Sequence, residues 1–314
     1  MGVGGPVTTA VASHPEAGPV VPPRGAPLPV TRRRSRSGAW LGLVPFAAYL
    51  ALFLALPTVL AVATGFVDGE GRFTWANLTA LADPVVLTTF ANTAWLSALT
   101  AVVGALVGAV VCYAALGLPP TGIVRSTLDA AAGVLAQFGG VMLAFVFIAT
   151  IGVQGVVTVA LRDVLGIDLQ PGTWLYSVPG LILPYIYFQV PLMVITFLPA
   201  LTALRPQWAE ANLVLGGTRL SFWTRIGLPV LAPSFLASLL LLFANAFSSY
   251  ATAAALASQG SQIVPLQIRA ALTSETVLGR ENLAGALALG MIAVVGVVMW
   301  LYALVQARAA RWQS

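Results

Sequence analysis

The chain has 314 residues, of which 59% are hydrophobic and only 8% are charged; ordinary soluble domains carry about 25% charged residues, so a typical water-soluble protein is excluded. Its net charge of +5 comes entirely from arginine on the basic side, and the missing lysine removes the phosphate-gripping residue that a nucleotide-binding P-loop needs. A single histidine, His14, and a single cysteine, Cys112, exclude a Ser-His-Asp triad, a disulfide framework within the chain and any multi-Cys or multi-His metal centre.

The first 37 residues are rich in proline and glycine and show no apolar periodicity, so segment 1–37 reads as a disordered tail that ends on Arg32, Arg33, Arg34 and Arg36. The remainder, 38–314, is dominated by apolar runs of the length a helix needs to cross about 30 Å of hydrocarbon. The first run, 39–66, contains Ala61-Val62-Ala63, which looks like a cleavage signature. The run is longer than a signal-peptide core of about 7–15 residues, and it reads as an uncleaved span.

Five further spans are predicted, at 90–116, 128–152, 177–201, 233–256 and 283–305, giving an all-α integral membrane protein with six transmembrane helices. The arginines fix its orientation. Eleven of the fifteen fall in the tail and in the segments on one side, including Arg125, Arg205, Arg219, Arg225, Arg308 and Arg311, which marks that side and both termini as cytoplasmic. They lie between apolar runs rather than on a basic face interleaved with aromatic residues, so no nucleic-acid partner is expected and membrane lipid is. Short helices along the outer surface are expected at 155–165 and 263–278.

The longest cytoplasmic connection, 202–232 between spans four and five, reads as two short helices joined at a glycine break. Trp208, Ala211 and Leu215 make one apolar face, with Glu210 beside it, and Phe222, Trp223 and Ile226 make a second. Gly216 and Gly217 allow the sharp turn, and Pro229 suits the first turn of the following helix. Glu210-Ala211, then Gly216 six residues after the glutamate, Ile226 ten further on and Leu228-Pro229 at the close resemble the signature loop of binding-protein-dependent ABC importer permeases. That loop reads Glu-Ala-Ala, a glycine at this spacing, then Ile-x-Leu-Pro, between two spans near the C-terminal end. Asn212 stands where the family usually has its second alanine. The resemblance runs from about Thr88 to Leu304 and leaves out the proline-rich tail.

This resemblance implies a coupling helix at 202–232, with Glu210, Ala211, Leu215, Gly216, Ile226, Leu228 and Pro229 meeting a cytoplasmic ABC ATPase dimer. It also implies a second permease subunit on a different chain, an extracytoplasmic solute-binding protein and a place in a bacterial inner membrane. The chain itself would bind no cofactor and catalyse nothing; ATP and Mg would be used by the partner ATPase. The alternative is a secondary transporter or a membrane assembly factor without transport activity. No span core carries an acid or a base apart from Asp129 at the start of the third, which argues against a proton relay and so against the first of these.

Polar residues inside the spans mark a candidate translocation pathway. Asn245, Ser248, Ser249 and Thr252 recur at helical spacing on the fifth span, and Gln137, Tyr185 and Gln189 on the third and fourth could face the same cavity. Interhelical hydrogen bonding is the competing explanation. Gly104 and Gly108 read as a helix-packing motif. The stretch from Phe243 to Thr252 resembles the spermidine/putrescine-type branch of the permease family, alongside thiamine, iron and phosphonate relatives.

Overall fold

The computed structural model describes Gly2 and residues 39–119, 121–166, 175–257, 263–273 and 280–310. Apart from Gly2, the tail expected at 1–37 lies outside the described residues. Among them the regular structure is helical, and six stretches are long and apolar enough to cross a membrane: Gly42–Thr64, Pro84–Ala115, Gly140–Leu165, Pro179–Thr202, Arg219–Phe247 and Asn282–Ala307. The protein is an all-α, multi-pass membrane protein with six spans.

Its contacts divide the chain into two units, Met1–Phe53 and Leu54–Ser314. In the first, helix α1 (Ala39–Leu50) runs into a π-type turn that begins at Ala51, and Tyr49 and Phe53 pack with ring centroids 5.1 Å apart.

The second unit holds the bundle. Helix α2 (Leu56–Thr64) is followed by the short α3 (Ala76–Thr79) and then by α4 (Pro84–Ala115). Asp83 starts α4: its carboxylate accepts from the Val85 N–H at 2.8 Å, and Pro84 occupies a first-turn position where no donor is needed. One face of α4 is built from small residues, among them Thr93, Ser97, Thr100, Gly104, Ala105, Gly108 and Cys112, all buried. The hydroxyls on this face satisfy themselves within the helix, as in Thr93 donating to the Thr89 carbonyl and Ser97 to that of Thr93.

That small face lets α8 (Ile182–Thr202) lie close against α4, and α8 also packs on α5 (Ile123–Gln137) and α11 (Leu228–Phe247). A Cβ placed on Gly104 would stand 2.5 Å from the Gln189 Cβ, and one on Gly108 would stand 2.5 Å from the Met193 Cβ. The two glycines are therefore the seam of the bundle, as the packing motif predicts. Around them Ala101, Ala105, Met193, Val194, Phe197 and Leu242 form a buried apolar core. The C-terminal helix α14 (Arg280–Ala310) crosses α2 at a second glycine contact, where a Cβ on Gly65 would meet the Ala286 backbone nitrogen at 2.7 Å.

The expected third span is not one helix. The chain leaves α5 at Gln137, passes Phe138 and Gly139, and restarts as α6 (Gly140–Ile151) with Gly140 at φ +69°. Adjacent glycines with one in the left-handed region explain the break, and the apolar stretch continues through α7 (Val156–Leu165). The expected fifth span, 233–256, is also interrupted: α11 ends at Phe247, and a short α12 (Ala251–Leu256) follows. Helices α7 and α13 (Val264–Leu272) lie where two short helices are expected, with 274–278 of the second segment outside the described residues. The N-terminus of α13 is fixed to α4 by the Val264 N–H donating to Thr93 Oγ1 at 3.0 Å.

Candidate functional site

The connection between α8 and α11 forms a compact hook. Helix α9 (Pro206–Val214) begins on a proline after the extended Arg205 and ends at Leu215, and Gly216 at φ +79° turns the chain back. Helix α10 (Arg219–Phe222) follows, capped by Thr218 Oγ1 accepting from the Ser221 N–H at 3.2 Å. It runs through a π-type turn, Trp223–Gly227, directly into α11 with Leu228 and Pro229 in its first turn. The second short helix expected from the sequence is thus the beginning of the fifth span.

Asn212, the residue that departs from the family motif, ties the hook together. Its Nδ2 donates to the Thr218 carbonyl at 3.1 Å, and its Oδ1 accepts from Ser221 Oγ at 2.9 Å. Gly217 lies so close that any side chain there would overlap the Asn212 amide. Alanine at 212 could make neither bond. The sequence reading missed this role, although an amide beside a Gly-Gly-Thr turn is a signal for such a staple.

The two apolar faces expected of the hook behave differently. Phe222, Trp223 and Ile226 are half-buried, with Trp223 packed edge-on against Tyr113 at the end of α4, centroids 5.5 Å apart. Trp208 is half-buried as well. The tip is bare: Val214 and Leu215 are each 87% exposed, and Leu213 and Leu220 are also exposed. Glu210, Ala211, Gly216, Leu228 and Pro229 are exposed beside it. A contiguous apolar tip on a polar loop is the character of a surface that docks on a partner.

The candidate pathway residues fall into two groups. Gln137 is exposed at the end of α5, and Asn245 and Ser248 are exposed near the end of α11. Tyr185, Gln189 and Thr252 are buried. Tyr185 donates from its hydroxyl to the Ser249 carbonyl at 2.8 Å, Gln189 donates from Nε2 to the Leu242 carbonyl at 3.1 Å, and Thr252 donates to the Gly140 carbonyl at 3.2 Å. The first two hold α8 to the end of α11 and to the break that follows it, and the third holds α12 to the break before α6. The expectation of one continuous helical stripe through Asn245, Ser248, Ser249 and Thr252 is therefore corrected, because the helix ends at Phe247 and Thr252 turns inward. Ser248 also donates to the Ala244 carbonyl at 2.9 Å, which closes the last turn of α11.

Two cavities flank α11. One, of about 670 Å³, is walled by apolar side chains, including Leu106, Val110, Phe197, Leu231 and Phe235. The other, of about 500 Å³, lies between α8, α11 and α14 and carries hydroxyl and amide groups.

No protein-family model and no curated protein sequence matches the chain. Solved structures do. A chain in the crystal structure of a bacterial ABC transporter involved in the import of the acidic polysaccharide alginate aligns with a TM-score of 0.68 and 18% identity, covering 88% of this chain and 96% of that one. A chain of the bacterial alginate ABC transporter in complex with an alginate pentasaccharide-bound periplasmic protein aligns with a TM-score of 0.64 and 18% identity, covering 85% and 93%. The chain thus has the fold of a chain from a bacterial ABC transporter over nearly the whole length of that chain.

Proposed function

We propose that the protein is a permease subunit of an ATP-binding-cassette importer, forming half of a solute pathway and coupled to a separate cytoplasmic ATPase. The observation that carries this reading is the hook between α8 and α11: an exposed apolar tip, Leu213 to Leu215, held rigid by Asn212 and set directly on the start of a membrane-spanning helix. A partner that grips the tip moves α11 as a lever, so a rigid-body motion of the ATPase becomes a tilt of the fifth span. The shared fold with a bacterial ABC transporter and the Glu-Ala, Gly and Ile-x-Leu-Pro spacing support the same conclusion.

On this reading both termini and the hook are cytoplasmic, the second permease half comes from a different chain, and an external binding protein delivers the solute. The helix breaks at 138–140 and 248–250 face the pathway. Polar ends of interrupted helices are tolerated in lipid only where they line a cavity or are buried in protein. Gln137, Asn245 and Ser248 touch solute, while Tyr185, Gln189 and Thr252 keep the breaks in register.

The test is Leu215→Glu in the full complex. The side chain at 215 makes no internal packing to lose, so the variant should insert and fold normally yet fail to retain the ATPase on purification and fail in ATP-driven uptake. Undiminished ATPase retention in Leu215→Glu and in Gly216→Trp would refute the assignment.

A further inference from the structure

Helix α11 sorts its side chains by polarity. One face, with Leu228, Leu231, Ala232, Phe235 and Leu236, lines the apolar cavity against α4. The opposite face carries the polar residues Ser234, Ser238 and Asn245, with Ser248 just past the helix end and the apolar Leu241 in line between Ser238 and Asn245 at steps of three and four. The inner members of that face, Ser234, Ser238 and Leu241, line the second cavity, which Thr196 of α8 and Tyr302 and Gln306 of α14 complete. Leu241 stands one turn from the exposed Asn245, so the cavity and the outer polar residues share one line along the helix.

Five hydrogen-bonding side chains from three helices converge on one cavity of about 500 Å³; Thr196 is satisfied by donating to the Leu192 carbonyl at 3.0 Å, and the cluster as a whole suits water better than hydrocarbon, where an unpaired group is penalised. Gln306 Nε2 donates to the Tyr302 hydroxyl at 2.7 Å, which leaves the tyrosine O–H to donate and the glutamine carbonyl to accept. No Asp, Glu, Lys, Arg or His is among the residues lining this cavity. A further cavity, beside α5, shares Pro199 with this one and holds Arg125 and Asp129, which are paired to each other at 3.2 Å.

Resting on the importer reading, we propose that a continuous water-filled track for an uncharged, hydrogen-bonding solute runs along α11 from Ser248 and Asn245 to an inner vestibule formed by Ser234, Ser238, Thr196, Tyr302 and Gln306. The track extends the pathway beyond the helix breaks to the cytoplasmic end of the bundle and assigns α14 to its wall. Its donors and acceptors suit hydroxyl-rich solutes, which exchange one hydrogen-bond partner for the next without a fixed counter-charge to leave behind.

Thiol labelling tests it. In the full complex, in inside-out vesicles, with Cys112→Ala as background, Ser234→Cys and Ser238→Cys are compared with Val110→Cys on the apolar face. The thiolate is the reactive form and requires water, so the two track thiols should react with a soluble maleimide about tenfold or more faster than the control. Cationic and anionic methanethiosulfonates should show the same rate ratio at Ser238→Cys as at a free thiol in buffer. Labelling of both track thiols at the Val110→Cys rate would mean a lipid-filled cavity and would overturn the track. A strong preference for the cationic reagent would overturn the uncharged class in favour of a cation such as a polyamine. Reactive track thiols in a protein whose uptake ignores ATP would instead sink the importer reading and leave the track standing.

Discussion

The seam between α4 and α8 makes a quantitative prediction. At Gly104 an added Cβ would lie 2.5 Å from the Gln189 Cβ, whereas unstrained carbon contacts lie at about 3.5–4.0 Å. Gly104→Ala must therefore push the helices apart by about 1 Å, and the shift of Gln189 with its backbone endangers its 3.1 Å bond to the Leu242 carbonyl. Overpacking of this kind costs about 1–3 kcal/mol, and losing the hydrogen bond adds about 0.6 kcal/mol in a membrane protein. Glycine-to-alanine within a helix returns about 1 kcal/mol of propensity, so the net destabilisation is about 0.6–2.6 kcal/mol. Gly133 on α5 supplies the control, since nothing lies within 4 Å of its added Cβ; Gly133→Ala keeps the propensity gain with no clash. Thermal unfolding of the purified protein in one detergent should place Gly104→Ala below the parent and Gly133→Ala at or above it, with Gly108→Ala resembling Gly104→Ala. Equal melting temperatures for Gly104→Ala and Gly133→Ala would refute the close-packed seam.

Other substitutions probe separate parts of the account. Asn212→Ala removes two hydrogen bonds across the hook, each contributing about 0.5–1.5 kcal/mol, and limited proteolysis should cut faster between 205 and 225 while the melting temperature of the bundle stays unchanged; an unaltered cleavage rate would show that the staple is dispensable. Arg125 donates to the Ala115 carbonyl at 3.1 Å as well as to Asp129, whereas Asp129 is half exposed and only contributes an i,i+4 pair of about 0.3–0.5 kcal/mol. Arg125→Met should thus lower the melting temperature more than Asp129→Asn does, and the reverse order would contradict the capping role. A Cβ on Gly285 would stand 2.5 Å from the Gly65 backbone nitrogen and 2.6 Å from the Ala61 carbonyl oxygen, so Gly285→Val should separate α14 from α2, read as loss of cross-linking between cysteines placed on the two helices; retained cross-linking would mean that the crossing does not need the glycine.

Much of the fold could be read from composition and spacing, because a span is announced by apolar length alone. The interruptions were harder. At Gly139-Gly140 an apolar run long enough to be one helix hides a backbone that only glycine adopts readily, and hydropathy is insensitive to that. The break after Phe247 is hidden in the same way, since Asn245, Ser248, Ser249 and Thr252 keep helical spacing on paper while the chain turns between them.

For the site, the motif located the hook, but its exposed apolar surface sits at Leu213, Val214 and Leu215 rather than along Trp208, Ala211 and Leu215. The difference arises because Trp208 and the Phe222–Trp223 pair find cover inside the protein. Tyr185 and Gln189 looked like pathway residues by polarity, yet the absence of a side chain at Gly104 draws α4 over Gln189 and buries it. In the sequence Asn212 is only a departure from the motif; its role depends on the Thr218 carbonyl and the Ser221 hydroxyl, which the fold brings within its reach.

The central claim is that the hook at 206–229 engages an ATPase. In a Cys112→Ala background, Leu215→Cys should form a specific thiol cross-link to the ATPase subunit in native membranes, with Val124→Cys, exposed on α5, as the control that should not. A cross-link that forms at 215 and weakens in Asn212→Ala is the expected result; a Leu215→Cys thiol that never joins the ATPase while ATP-driven uptake continues would contradict the account.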